Sequence, residues 1–197
     1  MASDRPLRIS DPQRIRALSH PLRLELIDVL GEGPATATRC AAITGESVAS
    51  CSFHLRMLAK YGYIEPAPRS GREKPWQLTS SSQEIRPDAS DPDSLRAVEA
   101  MAGVYVDREV EHIHRWLAQA STESPEWINA STVTGSSIWA TVEEMEELSQ
   151  AAQALSDRFE DRRTDPSKRP AGARPVRVFT AVHLDVTKEE RATRTHE

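Results

Sequence analysis

Between Ser47 and Lys74 the chain gathers side chains suited to reading and holding a polyanion. Arg56 carries a planar fork of donors that matches the two acceptors on a guanine edge, and the hydroxyls of Ser47, Ser50 and Ser52 can donate or accept. Ala49 is a small residue that could lie at a base edge, and the outward ring of Phe53 could contact thymine methyl groups. Lys60, Arg69, Arg72 and Lys74 are cations able to replace the counterions of phosphates. A solvated helix face followed by a basic loop has the same composition, so the chemistry depends on whether these groups share one surface.

The elements that would position them are legible from Thr36 to Ile64, TATRCAAITGESVASCSFHLRMLAKYGYI. At about 100° per residue, Val48, Cys51, Leu55 and Leu58 fall on one side of a helix and are expected to face a core. Ala49, Ser52, Phe53, Arg56 and Lys60 lie opposite. Gly45 can end the preceding helix in a left-handed residue, and Ser47 can cap the next one. YGYIEPA and PWQLTS read as extended runs around the turn PRSGREK, a hairpin whose tip carries Arg69, Arg72 and Lys74. Upstream, Asp11 to Leu18 and Pro21 to Leu30 read as two helices, the second with the stripe Leu22, Leu26, Ile27 and Leu30. The expected order is four helices and a hairpin. An ordinary helical hairpin with a solvated outer face is the alternative.

Over about Asp11 to Ser80 these phrases resemble the ArsR-type winged-helix repressors. ALSHPLRLELIDVL resembles that family's opening phrase and SCSFHLRMLAKYGYIE its recognition-helix phrase; the aromatic before His54 and the wing GREKPWQL resemble actinobacterial members with an extra C-terminal region. The resemblance implies a homodimeric repressor on an inverted-repeat operator of double-stranded DNA, with recognition helices about 34–36 Å apart. Phe53 stands where Arg is common in the family; its ring either faces the groove or packs under the wing. His54 is expected to make a helix-positioning hydrogen bond or a phosphate contact. Metal-sensing members carry a Cys-x-Cys pair where this chain has Thr36 and Thr38, whose hydroxyls do not replace thiolates. Cys40 and Cys51 are expected to be structural. Around Asp107, Glu109, Glu111, His112 and His114 the ligand spacing of the family's other metal site is not matched; the two histidines point about 200° apart on a helix. Only ligation across a dimer is left open, and no metal or other cofactor is expected.

The fold class expected is mostly α with small β elements: a winged helix-turn-helix domain over 1–80, a linker over 81–91, a long dimerisation helix over 92–120, and a small α/β dimerisation or sensing region over 121–197. In the long helix Leu95, Val98, Ala102, Tyr105, Val106, Val110, Ile113, Trp116 and Leu117 form a drifting apolar stripe for a second copy or for the C-terminal region. Beyond it, residues 129–141 are expected to be extended, Val142 to Arg163 helical, and Val176 to Leu184 a strand alternating apolar and mixed faces.

Charge is divided along the 197 residues. Residues 1–80 hold 11 Lys and Arg against 8 Asp and Glu, and residues 81–197 hold 14 against 22, so an overall −5 conceals a basic first domain. No apolar run is long enough to cross a bilayer or act as a secretion signal, and two cysteines do not make a disulfide framework; a reducing cytoplasm is the simplest expected location. No nucleophile–base pair, phosphate loop or paired carboxylates points to an enzyme. Two functions stay open: a DNA-binding transcriptional regulator, with or without an unidentified small-molecule effector, and a winged-helix protein-interaction module whose acidic C-terminal region recruits a partner.

Overall fold

The computed structural model describes residues 7–68, 74–80, 83–85 and 87–187. It divides into two compact units, Met1–Leu117 and Ala118–Glu197. In the first, β1 (Leu7–Ile9) leads into α1 (Pro12–Arg16) and α2 (Pro21–Gly31). Both helices start at a proline, whose missing N–H costs nothing in a first turn. Asp11 caps α1 by accepting the Arg14 N–H at 2.8 Å. α3 (Ala37–Thr44) and α4 (Val48–Lys60) follow, then β2 (Ile64–Pro66) and β3 (Trp76–Leu78), an antiparallel pair with Ile64 opposite Leu78. An isolated bridge from Ala35 to Trp76 ties this hairpin to the start of α3. The four helices and hairpin expected from the sequence are present as a winged helix-turn-helix.

The core is a single cluster in which Ile15, Leu26, Leu55 and Leu58 are completely buried, joined by Cys40, Cys51 and Tyr63. Burial of that apolar surface drives the assembly, at about 1.5–3 kcal/mol per large side chain. Residues 81–91, read as a linker, contain β4 (Gln83–Ile85), which pairs in parallel with β1, Leu7 opposite Gln83. A three-residue strand has too little pattern to be recognised locally; its partner lies more than seventy residues away. α5 (Pro92–Gln119) then runs for 28 residues. Ala97 is fully buried, and Val98, Met101 and Val104 pack on the core, so the first half of α5 closes the first unit.

The second unit holds α6 (Pro125–Ala130), α7 (Val142–Ala154) and α8 (Glu160–Thr164). α7 starts with a capping box in which Thr141 and Glu144 exchange side-chain and backbone bonds. The helix expected to reach Arg163 stops at Ala154 and is followed by a 3₁₀ turn at Asp157–Phe159; Ser156 and Asp157, which compete for backbone groups, favour such a break. The strand expected over Val176 to Leu184 and its pairing with residues 133–140 are not present: both segments are irregular. They meet where the Ser137 hydroxyl donates to the Asp185 carboxylate at 2.8 Å, but no ladder forms. Alternation chooses the faces of a strand and does not supply a partner; the opposing run NASTVTGSS is small and polar, with little to pack across a ladder.

Candidate nucleic-acid interface

The turn between α3 and α4 is built from local hydrogen bonds. Thr36 caps α3 by accepting the Arg39 N–H at 3.2 Å, Gly45 ends it at φ 76°, and Ser47 caps α4 by accepting the Ser50 N–H at 3.1 Å. Cys51, Leu55 and Leu58 then turn into the core as expected. Val48 does not: it is 47% exposed. The helical wheel gives direction without depth, and the buried seam of α4 begins one turn later, at Cys51.

Ala49, Phe53, Arg56 and Lys60 are exposed along the outer side of α4, Ser47 is exposed at its start, and Ser50 and Ser52 are half-buried beside them. Phe53 is 52% exposed, so its ring faces outward. Arg56 has no hydrogen-bond or ion-pair partner among the described residues, and no carboxylate occurs from Ser47 to Ile64 to neutralise it. Lys60 lies over the Tyr61 ring, 5.4 Å from its centroid, which places the ammonium at the C-terminal end of the face. The Ser47 oxygen accepts the capping bond and keeps its O–H available to donate. Lys74 is exposed beside the hairpin. Arg69 and Arg72 lie outside the described residues.

Four residues that the sequence did not single out, His20, Gly62, Tyr63 and Arg14, hold α4 in place. Leu22 donates its N–H to Nδ1 of His20, which therefore caps α2, at 3.2 Å, and the His20 ring lies 4.3 Å from that of His54. His54 is 9% exposed, and its Nδ1 has no hydrogen-bond partner among the described residues. Ring packing on His20, and no hydrogen bond through Nδ1, therefore positions the His54 side chain. Burial, helped by the charge of Arg23, holds both imidazoles below the usual histidine range. At the other end of α4, Gly62 at φ 73° closes a Schellman turn in which the Tyr63 N–H reaches the Leu58 carbonyl. Tyr63 is fully buried, its phenol is pushed up to about 12 by burial, and its hydroxyl donates to the Arg14 carbonyl at 2.8 Å. Arg14 answers by donating Nε–H to the Tyr61 carbonyl at 3.0 Å. A histidine before a helix-starting proline was the available sign for His20; nothing local marks Arg14.

The apolar stripe on α5 divides. Val98 packs inward, Ala102, Ile113 and Trp116 are half-buried, and Leu95, Tyr105, Val106, Val110 and Leu117 are exposed, Leu117 by 51%. Asp28 on α2 forms an ion pair with Arg108 on α5. Cys40 and Cys51 are free and fully buried, and burial pushes the Cys40 thiol up to about 11, so it packs as a neutral, apolar group. His112 is half-buried and His114 exposed. Among the described residues no three His, Cys, Asp or Glu side chains converge as metal ligands, and no helix is long and apolar enough to cross a membrane.

A protein-family model described as a helix-turn-helix domain matches residues 18–66, which run from the turn after α1 through β2. No curated protein matches the chain. Among solved structures it is similar to the homodimeric winged helix-turn-helix DNA-binding domain of Mb0332 from Mycobacterium bovis, a possible ArsR-family regulator, at 25% identity over 50% of this chain and 81% of that one, with a TM-score of 0.32. It is also similar to reduced HlyU from Vibrio cholerae, at 15% identity over 48% and 80% with a TM-score of 0.31, and to a mutant ZitR from Lactococcus lactis, at 19% over 71% and 75% with a TM-score of 0.30. The caps, the left-handed glycine and the hairpin agree with the family match: the chain contains a helix-turn-helix domain that carries a two-stranded wing.

Proposed function

We propose that the protein is a homodimeric transcriptional repressor that places α4 in the major groove of an inverted-repeat operator. The observation that carries this reading is the exposed guanidinium of Arg56, without a partner among the described residues, on a carboxylate-free helix face flanked by Ala49, Ser50, Ser52 and Phe53. Arg56 recognises guanine through O6 and N7, and the serines and Phe53 meet adjacent base edges. Lys60, Arg69, Arg72 and Lys74, with the Ser47 hydroxyl, contact phosphates and fix the register. The exposed residues of α5, Leu95, Tyr105, Val106, Val110 and Leu117, pair with their copies and set two recognition helices one helical turn apart.

Selection tests this reading. Purified full-length protein is incubated with fragmented host DNA at near-physiological salt and the retained DNA is sequenced, in parallel with Arg56→Ala. A shared inverted repeat that the variant fails to enrich supports the repressor. Retention of a partner protein with no DNA enrichment above background favours the interaction module instead.

A further inference from the structure

Resting on the reading that α4 enters the major groove, we propose that Phe53 and Ala49 form a pad for the 5-methyl group of a pyrimidine, so that each half-site is read for thymine or 5-methylcytosine at one step. Residues four apart lie above one another on a helix face, and both side chains are exposed, Phe53 by 52%. Beside them on that face lie the hydroxyl of Ser52 and the exposed cations Arg56 and Lys60, while the half-buried Met57 adjoins Phe53 on its inner side. The pad is therefore apolar surface bordered by polar groups on its outer side.

A phenyl ring and a methyl neither donate nor accept the hydrogen bonds that distinguish base edges. What they can distinguish is apolar area, and the pyrimidine 5-methyl is the one apolar group on the major-groove edge. The ring is also restrained before binding. Its edge-on contact with His54, 5.1 Å between centroids at 84°, fixes it against a side chain that is itself packed on His20. A restrained ring loses little freedom when a methyl seats against it. Arg56 lies three residues further along, about 4.5 Å in helical rise, so the methylpyrimidine lies within a step or two of the guanine that Arg56 holds.

Because recognition is by the methyl, the base that bears it matters less, and methylation of a cytosine at that step substitutes for thymine. The test uses the full-length protein and the operator recovered by selection. Each thymine of a half-site is replaced in turn by uracil, which keeps the O4 acceptor and lacks the methyl. One position per half-site is expected to lose about fourfold in affinity, the value of burying one methyl-sized group. At that position 5-methylcytosine should bind better than cytosine by a similar factor. Phe53→Ala should bind the thymine and uracil operators equally, and Phe53→Leu, which keeps apolar surface, should still prefer thymine. Equal affinity for thymine and uracil at every position, or a preference that persists in Phe53→Ala, overturns the inference while leaving DNA binding intact. Failure to enrich any operator overturns both.

Discussion

The imidazole rings of His20 and His54 stack 4.3 Å apart at a tilt of 40°, joining the cap of α2 to the middle of α4. An imidazolium has no acceptor, so protonation of His20 removes the bond to the Leu22 N–H. Both rings also face Arg23, and Glu46 offsets only part of its effect. Folding lowers both histidine values, so the unfolded chain binds more protons as the solution is acidified. Their contribution is fully present above the ordinary histidine value of about 6.5 and is lost as pH falls through the lower values of the folded state. Urea unfolding at pH 7.5 and 5 should show this decline. His20→Asn, which caps without titrating, should flatten it, while His20→Ala should cost about 1 kcal/mol at pH 7.5. An unchanged pH profile in His20→Asn contradicts the assignment.

The Tyr63 hydroxyl and the Arg14 carbonyl fix the exit of α4 to α1. Tyr63→Phe should cost about 0.5–1.5 kcal/mol without altering the operator sequence. Gly62→Ala forces a side chain into the left-handed region at φ 73°, and should cost about 1–2 kcal/mol. Denaturant midpoints measure both; an unperturbed Gly62→Ala would mean that the Schellman turn does not form.

Arg56 and Lys74 should separate specificity from affinity. Arg56→Ala is expected to cost about 1–3 kcal/mol on the operator and relax the choice of one base pair. Lys74→Ala should weaken all sequences alike and reduce the salt slope by about one unit. Titrations on operator and scrambled DNA at several salt concentrations distinguish the two, and equal weakening by Arg56→Ala on both DNAs removes it from the base edges.

Both cysteine thiols are buried, and the Cys40 thiol is pushed up to about 11. An alkylating reagent at pH 8 should leave both unmodified in the native protein and label both in denaturant. Rapid native labelling of Cys40 would show that α3 is not seated as described.

The helix-turn-helix was legible because its signals are local. Gly45, Ser47 and the three- and four-residue steps of Cys51, Leu55 and Leu58 lie within one short window. What sequence reading missed depends on contacts across the chain. β4 exists through its pairing with β1, Val48 is exposed because the buried seam starts at Cys51, and His54 finds its neighbour on α2. The alternating run from Val176 to Leu184 failed for the same reason, since the segment opposite it offers no ladder. On the outer face of α4 the residue types and their exposure follow from the wheel, whereas the contact of Phe53 with His54 does not.

The entry of α4 into the major groove is tested most directly by guanine N7 interference on the selected operator. Methylating N7 blocks that edge without touching the phosphates. Two patches of interference about 10–10.5 bp apart, absent with Arg56→Ala, are the result expected. Tight binding to DNA with no N7 interference anywhere in the site would contradict the account.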